Sequence, residues 1–188
     1  MAEILLFHHA GGLTPGVHRF ADSLRGAGHV VHTPDLFEGR TFADVEDGVA
    51  FAQAQGEDTF ATRAAAIAAD LPTDLVYAGM SMGCARAAEQ VLTRPGARGA
   101  VFLYGAIAPS WWDAHWPAGV PAQAHLTEGD PWREIEAEEE FLAGVPEGEL
   151  FVYEGSGHLF VDPDHRDHDP QAAALATERI LTFLAQLS

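Results

Sequence analysis

One stretch restricts the fold more than any other. In it an apolar run, which contains two glycines and a serine near its end, is followed directly by a helical segment. Residues 74–83 read Asp-Leu-Val-Tyr-Ala-Gly-Met-Ser-Met-Gly, and the helix-forming residues 84–92 follow without a loop. A strand that turns sharply into a helix needs small residues beside the turn, which Gly79 and Gly83 supply. The pattern therefore predicts that Ser81 stands on a tight strand-to-helix turn, with its hydroxyl raised above the carboxyl edge of a sheet.

Short apolar runs alternate with segments of helical period along the chain, which is the pattern of a parallel sheet covered by helices. Six runs are predicted as strands, at residues 3–7, 29–33, 75–78, 100–104, 122–126 and 150–153. Apolar residues spaced as on one helix face predict four helices, around residues 17–24, 60–71, 84–92 and 176–187. No repeat, linker or shift in composition divides the sequence, so we expect one domain over residues 1–188.

The residue types that would activate Ser81 follow later in the sequence. A serine hydroxyl is a poor nucleophile until a base takes its proton, and the base needs a carboxylate that holds its tautomer. Asp130 comes after the fifth predicted strand and His158 after the sixth. The sequence order Ser, Asp, His is the one found when the nucleophilic serine stands on such a turn. We predict that Ser81, His158 and Asp130 form a catalytic triad. Glu128 and Asp113 are alternative acids. The alternative for Ser81 is a purely structural role in a tight strand-to-helix turn that needs small residues.

The loop after the first strand reads His-His-Ala-Gly-Gly-Leu over residues 8–13. Acyl transfer needs backbone N–H groups that face the developing oxyanion. The N–H of Met82, at the start of the helix after Ser81, is one predicted donor, and the N–H of Ala10 is the other, with Gly11 as its alternative. His9 is a candidate substrate contact, although a histidine that ends a strand is more commonly structural.

The composition excludes several classes of partner and chemistry. The formal charge of −18, from 28 acidic against 10 basic residues, repels phosphate backbones and anionic membranes, so we expect neither nucleic acid nor membrane as a partner. The sequence contains no lysine, which excludes a Schiff base or a phosphate-loop lysine. Cys84 is the only cysteine, so no intramolecular disulfide can form. It lies one helical turn after Ser81, where we expect a core residue.

No cofactor and no metal are predicted. Gly11 and Gly16 have the spacing of a phosphate loop, but Val17 and His18 stand where lysine and Ser/Thr are needed. The histidines within residues 164–169 lie among aspartates, which is more typical of solvated loop residues than of metal ligands. The first residues form a strand without the basic and cleavable parts of a signal peptide, and no apolar run is long enough for a bilayer span. We therefore expect a cytoplasmic protein.

Together these motifs resemble the dienelactone hydrolase family over nearly the whole chain. The similarity is strongest in residues 33–37, Gly79-Met-Ser-Met-Gly83, residues 102–105, residues 125–130, Tyr153-Glu-Gly-Ser-Gly-His158-Leu-Phe160 and residues 169–174. The resemblance implies a compact α/β-hydrolase fold, with a mainly parallel sheet of about six strands, helices on both faces and no separate lid domain. It implies hydrolysis of small esters or lactones, with Ser81, Asp130 and His158 at the triad positions. Ala10 and Met82 fall at its oxyanion-hole positions.

Three positions depart from the best-known members of that family. Those members carry cysteine as the nucleophile where this sequence has Ser81, and glutamate near it where this sequence has His9. An arginine with which they hold a substrate carboxylate falls near Asp162 here. Its loss and the charge of −18 both disfavour an anionic substrate. The N-terminal strands of the family also lack counterparts, so we expect an unusually small sheet.

The functional prediction is an esterase or lactonase that acts on a small molecule through an acyl-enzyme. A thioesterase and a cofactor-free perhydrolase would use the same triad, and a non-catalytic binding protein on a hydrolase scaffold is a further alternative. Tyr104 and Trp111 are predicted substrate contacts besides His9. Trp112 and Trp116 lie in the same segment and could form an aromatic pocket wall with them. Residues 134–142 are crowded with glutamate, which is typical of a solvated helix face.

Overall fold

The computed structural model describes residues 1–187, except for the side chain of Glu57. Its six strands are β1 (Glu3–Phe7), β2 (Val30–His32), β3 (Val76–Met80), β4 (Gly99–Leu103), β5 (Ala122–Thr127) and β6 (Gly148–Tyr153). Its six α-helices are α1 (Pro15–Gly26), α2 (Val45–Gln55), α3 (Glu57–Ala69), α4 (Met82–Thr93), α5 (Ile135–Gly144) and α6 (Pro170–Gln186). A short 3₁₀-helix, Pro109–Trp112, lies between β4 and β5.

The strands form one parallel sheet in the order β2-β1-β3-β4-β5-β6. The chain runs outward from β1 to β2 and then crosses back to β3, so β1 and β3 lie side by side where the strand order reverses. Phe7 at the end of β1 pairs with Gly79 near the end of β3. Open parallel sheets bind ligands beyond the carboxyl ends of the strands at such a point. Ser81 and the loop after β1 both leave the sheet there.

The strand residues alternate between two apolar layers, as the pleat requires. Ile4 and Leu6 face the layer that α1 and α6 cover, whereas Leu5 and Phe7 face the layer that α3, α4 and α5 cover. Because helices shield both faces, the central strands β1, β3 and β4 are almost continuously hydrophobic, which is the composition of parallel strands buried on both sides.

The predicted fold class is confirmed, with a parallel sheet of six strands in the described part of the chain and helices on both of its faces. Predicted strand ends fall within two residues of the observed ends. The prediction omits α2, because Val45 and Gly48 are its only fully buried residues and they form no continuous apolar stripe. None of the helices in residues 1–187 combines the length and the hydropathy needed to cross a bilayer.

Candidate active site

Ser81 stands between β3 and α4 in a backbone conformation that L-residues rarely adopt, with φ 50° and ψ −115°. Its N–H donates to the carbonyl oxygen of Leu103 at 2.8 Å, which ties the turn to β4. A Cβ atom on Gly79 would lie 2.2 Å from the carbonyl oxygen of Gly83, and one on Gly83 would lie 2.3 Å from that of Phe7. These two glycines are therefore what allows the helix to approach the strands closely enough to form the turn.

The structure joins Ser81, His158 and Asp130 in one hydrogen-bonded chain. Nε2 of His158 lies 2.8 Å from Oγ of Ser81, and Nδ1 of His158 lies 2.7 Å from Oδ2 of Asp130. A carboxylate only accepts hydrogen bonds, so Nδ1 carries the imidazole proton and the lone pair of Nε2 faces the serine hydroxyl. It is Asp130, and not Glu128 or Asp113, that contacts the imidazole.

The loops after β5 and β6 hold Asp130 and His158 in place. The N–H of Gly129 donates to the carbonyl oxygen of Gly155 at 2.8 Å, which joins the two loops. Oδ1 of Asp130 accepts from the N–H of Trp132 at 2.8 Å, while Oδ2 serves His158. Both carboxylate oxygens are thus engaged, and the orientation of the imidazole is fixed before a substrate arrives.

Two free backbone N–H groups lie on the residues predicted for the oxyanion hole. The N–H of Gly11 donates to Nδ1 of His9 at 3.0 Å, and the N–H of Gly12 donates to the carbonyl oxygen of His9 at 3.0 Å. Within residues 1–187, the N–H groups of Ala10 and Met82 have no hydrogen-bond partner. Of the two alternatives in this loop, Ala10 rather than Gly11 therefore has an N–H available for a substrate oxygen.

His8 is buried between the loop after β1 and the segment after β2. Its Nδ1 lies 2.8 Å from the carbonyl oxygen of His9, and its Nε2 accepts from the N–H of Leu36 at 3.0 Å. This arrangement requires the neutral tautomer with the proton on Nδ1. Burial lowers the pKa of His8 to about 4, so the imidazole remains neutral at physiological pH.

His9 lies outside the cleft beside Ser81 and lines a second cavity of about 210 Å³, together with Thr14, Asp162 and His165. Because Nδ1 of His9 accepts a hydrogen bond, Nε2 carries the proton, and it lies 3.6 Å from Oδ2 of Asp162. Burial lowers the pKa of His9. Across the described residues, no group of three or more His, Cys, Asp or Glu side chains is arranged to hold a metal ion.

A cleft of about 230 Å³ opens beside Ser81. Tyr104, Trp111, Trp132 and Glu134 contribute to its lining. The buried ring of Tyr104 lies 5.7 Å from the His158 ring, centroid to centroid, and the Trp132 ring lies 6.0 Å from it. The predicted substrate contacts Tyr104 and Trp111 are thus both at the cleft.

The other two tryptophans of the pocket-wall hypothesis do not line this cleft. Trp116 is buried against Phe102, and its indole N–H donates to the carbonyl oxygen of Val120 at 2.7 Å. The indole N–H of Trp112 donates to Oε1 of Glu89 at 3.2 Å. Both indole N–H groups are hydrogen-bonded within the fold, so these side chains have a structural role and connect the loop before β5 to the rest of the domain.

Trp132 and Glu134 line the cleft but are not among the residues predicted for it. Trp132 follows Asp130 by two positions, and that proximity to the predicted acid is the signal that points to it. Glu134 precedes α5 and is exposed, as expected for residues 134–142, but it opens onto the cleft. In the same segment Glu138 is buried, so the expectation of a solvated face is wrong for this glutamate.

Cys84 is a buried residue of α4, as expected. Its Sγ lies 3.3 Å from the carbonyl oxygens of both Gly79 and Leu103, and burial raises the pKa of its thiol to about 12. A thiol in this state is a weak nucleophile.

A model of the dienelactone hydrolase family matches residues 1–188 of this chain. No curated protein gives a significant match. The chain is similar to the structure of a dienelactone hydrolase from Anabaena variabilis ATCC 29413, with a TM-score of 0.68 and 16% identity over 99% of this chain and 86% of that one. A dienelactone hydrolase-like promiscuous phosphotriesterase from metagenomic libraries matches with a TM-score of 0.76 and 18% identity over 100% and 87% of the two chains. The thioesterase domain from the curacin biosynthetic pathway matches with a TM-score of 0.64 and 14% identity over 95% and 90%. At these identities the likeness shows a shared fold.

Proposed function

Because the chain belongs to the dienelactone hydrolase family, we propose that it hydrolyses small esters or lactones through an acyl-enzyme formed on Ser81. The family and its structural neighbours indicate a hydrolase that acts on esters or lactones. The observation that carries the finer proposal is the hydrogen-bonded chain in which His158 lies 2.8 Å from Ser81 and 2.7 Å from Asp130. These distances are within the range that a nucleophile, its base and the orienting acid need.

In the first step Oγ of Ser81 attacks the carbonyl carbon of the ester, and Nε2 of His158 takes the serine proton. Asp130 stabilises the imidazolium that forms but does not itself become protonated. The carbonyl oxygen acquires negative charge and faces the free N–H groups of Ala10 and Met82, the second of which begins α4 and adds its helix dipole. The C–O bond to the alcohol then breaks, and His158 returns the proton to the leaving oxygen.

In the second step a water molecule takes the place of the alcohol. His158 takes a proton from the water as its oxygen attacks the acyl carbon, and the same N–H groups stabilise the second oxyanion. The bond to Ser81 breaks, its oxygen recovers the proton, and the carboxylic acid leaves. With a lactone, the alcohol released in the first step stays attached to the acyl group, so the product is one hydroxy acid.

A thioesterase or a cofactor-free perhydrolase would use the same residues with a different leaving group or a peroxide in place of water. The fold shared with a thioesterase domain is compatible with the first of these but does not favour it over ester hydrolysis. A non-catalytic binding protein is disfavoured, because all three members of the proposed triad are present and lie within hydrogen-bond distance.

The proposal is tested with a panel of small p-nitrophenyl esters, lactones and thioesters, offered to the wild type and to Ser81→Ala. We expect ester or lactone turnover by the wild type and a loss of about 10³-fold or more in kcat for the variant. A fluorophosphonate probe should label Ser81, as mass spectrometry of the modified peptide would show. Undiminished turnover by Ser81→Ala, or labelling at another residue, would overturn the proposal.

A further inference from the structure

Two of the four tryptophans present large apolar surfaces at the cleft beside Ser81. Trp111 is 50% exposed and Trp132 is 41% exposed, and within residues 1–187 neither indole N–H has a hydrogen-bond partner. By contrast, the indole N–H groups of Trp112 and Trp116 are both hydrogen-bonded within the fold. Large exposed aromatic surface is costly to keep in water, and where it gathers at a concave site it marks a place for a ligand.

The cleft also carries one acidic group without a counter-ion. Glu134 lies at the start of α5, yet its carboxylate does not cap the helix, and it has no ion pair or hydrogen bond within the described residues. The neighbouring cation is engaged elsewhere: Arg133 donates from Nε and Nη2 to the two carboxylate oxygens of Glu138 at 2.8 and 2.6 Å. Its Nη1 donates to the carbonyl oxygen of Glu128 at 2.8 Å. No arginine contributes to the described lining of the cleft, so the charge of Glu134 is uncompensated there.

We propose that this cleft selects esters that carry a cationic group, of the ammonium or quaternary ammonium class, in the part of the substrate that it receives. The inference rests on the proposed ester hydrolysis and names its substrate class. Indole rings attract a cation through their quadrupoles and a carboxylate attracts it by charge, and this cleft is lined by both kinds of group. The net charge of −18 raises the local concentration of cations around the protein and lowers that of carboxylates.

The test compares two acetate esters of the same shape, acetylcholine and 3,3-dimethylbutyl acetate. The first has a cationic nitrogen where the second has a neutral carbon. We expect the wild type to favour the cationic ester in kcat/KM by about tenfold or more at low ionic strength, and less at high salt. Glu134→Gln should reduce that ratio by about fivefold, since it removes the charge and keeps the shape. Glu136→Gln, at an exposed position of α5 outside the cleft, is the matched control and should keep the wild-type ratio. A ratio of one or less in the wild type, or an equal ratio in Glu134→Gln, would overturn the proposal.

A binding experiment separates this inference from the proposed hydrolysis. Quenching of tryptophan fluorescence by choline, compared with 3,3-dimethylbutanol, reports occupation of the cleft without turnover. Choline should bind the wild type about tenfold more tightly than the neutral alcohol, and Trp132→Leu and Glu134→Gln should each weaken choline binding severalfold. If no ester is hydrolysed but choline binds in this way, the proposed hydrolysis is wrong while the proposed cation site is supported. Equal binding of the two alcohols sinks the cation site whatever the turnover.

Discussion

The imidazole of His8 donates from Nδ1 to the carbonyl oxygen of His9 at 2.8 Å. That carbonyl belongs to the same peptide unit as the N–H of Ala10, and in a trans peptide the two groups point in opposite directions. The N–H of Gly12 donates to the same oxygen at 3.0 Å. Two donors therefore fix the carbonyl, and with it the direction of the Ala10 N–H, which we propose as an oxyanion donor. Preorganisation of this kind is what makes an oxyanion hole effective.

The first prediction concerns this positioning role. We expect His8→Phe to lower kcat by about tenfold or more, and to change KM less, because a phenyl ring fills the space but cannot hold the His9 carbonyl; the outright loss of an oxyanion donor costs about 10²–10³. The free energy of unfolding should fall by about 1–3 kcal/mol, since the buried N–H of Leu36 loses its acceptor. Steady-state kinetics and urea unfolding measure the two effects. His18→Phe, at an exposed position of α1, is the control. A His8→Phe enzyme with wild-type kcat would exclude the positioning role.

The second prediction concerns the acid. Asp130→Asn should lower kcat by about 10⁴-fold, because an amide at this position favours the wrong imidazole tautomer and does not stabilise the imidazolium. Glu128→Gln and Asp113→Asn should stay within about twofold of the wild type, since both residues are exposed and neither contacts His158. Steady-state turnover of a p-nitrophenyl ester by each variant is the measurement. The acid assignment fails if the large loss appears in either control variant instead.

The positions of Ser81, Asp130 and His158 were predictable because each follows a strand of a parallel sheet. The carboxyl ends of such strands meet at one edge, so residues far apart in sequence are placed together by topology alone. The roles of the tryptophans were not predictable in the same way. Trp116 turns inward to reach Val120, and Trp112 turns to reach Glu89 on α4; these are contacts of the folded loop that no local periodicity encodes.

The pairing of His9 with Asp162 illustrates the same limit. The two side chains lie 3.6 Å apart, although 153 positions separate them in the sequence. Nothing in the pattern around His9 indicates whether a histidine at the end of a strand faces the substrate or a neighbouring loop. The packing of the loop after His158 against the loop after β1 decides this, and it places His9 beside the second cavity.

The third prediction concerns the only thiol. With the pKa of Cys84 raised to about 12, about one molecule in 10⁴ carries the thiolate at pH 8. Thiol reagents should therefore modify the native protein slowly, and modification should accelerate when urea unfolds it. Cys84→Ala should cost about 1 kcal/mol of stability through a small cavity. Labelling with a chromogenic disulfide in native buffer measures the rate. Rapid stoichiometric labelling, with a parallel loss of esterase activity, would indicate that Cys84 and not Ser81 is the nucleophile.

The fourth prediction concerns a buried histidine far from the chemistry. His125 on β5 is fully buried, with Nδ1 2.8 Å from the hydroxyl of Tyr153 and Nε2 3.3 Å from Oε1 of Gln123. Burial, and to a lesser degree the charge of Arg179, lowers the pKa of His125 to about 3 from its ordinary value of 6.5. The folded state therefore resists protonation that the unfolded chain accepts. Stability contributed by the neutral imidazole is complete above pH 6.5 and is lost progressively as the pH falls toward 3.

One such histidine adds a slope of about 1.4 kcal/mol per pH unit to the free energy of unfolding below its unfolded pKa. Urea unfolding between pH 6.5 and 5, where most carboxylates of the unfolded chain stay ionised, should show this slope in the wild type, together with a similar contribution from His8, whose pKa is lowered to about 4. His125→Gln can keep a polar contact to Tyr153 and cannot be protonated. Its slope should therefore be smaller than that of the wild type by about 1.4 kcal/mol per pH unit, the contribution of one proton. His115→Gln, at an exposed position in the loop before β5, is the control and should match the wild type. If His125→Gln and His115→Gln show equal slopes, protonation of the buried imidazole does not govern the acid sensitivity of this fold.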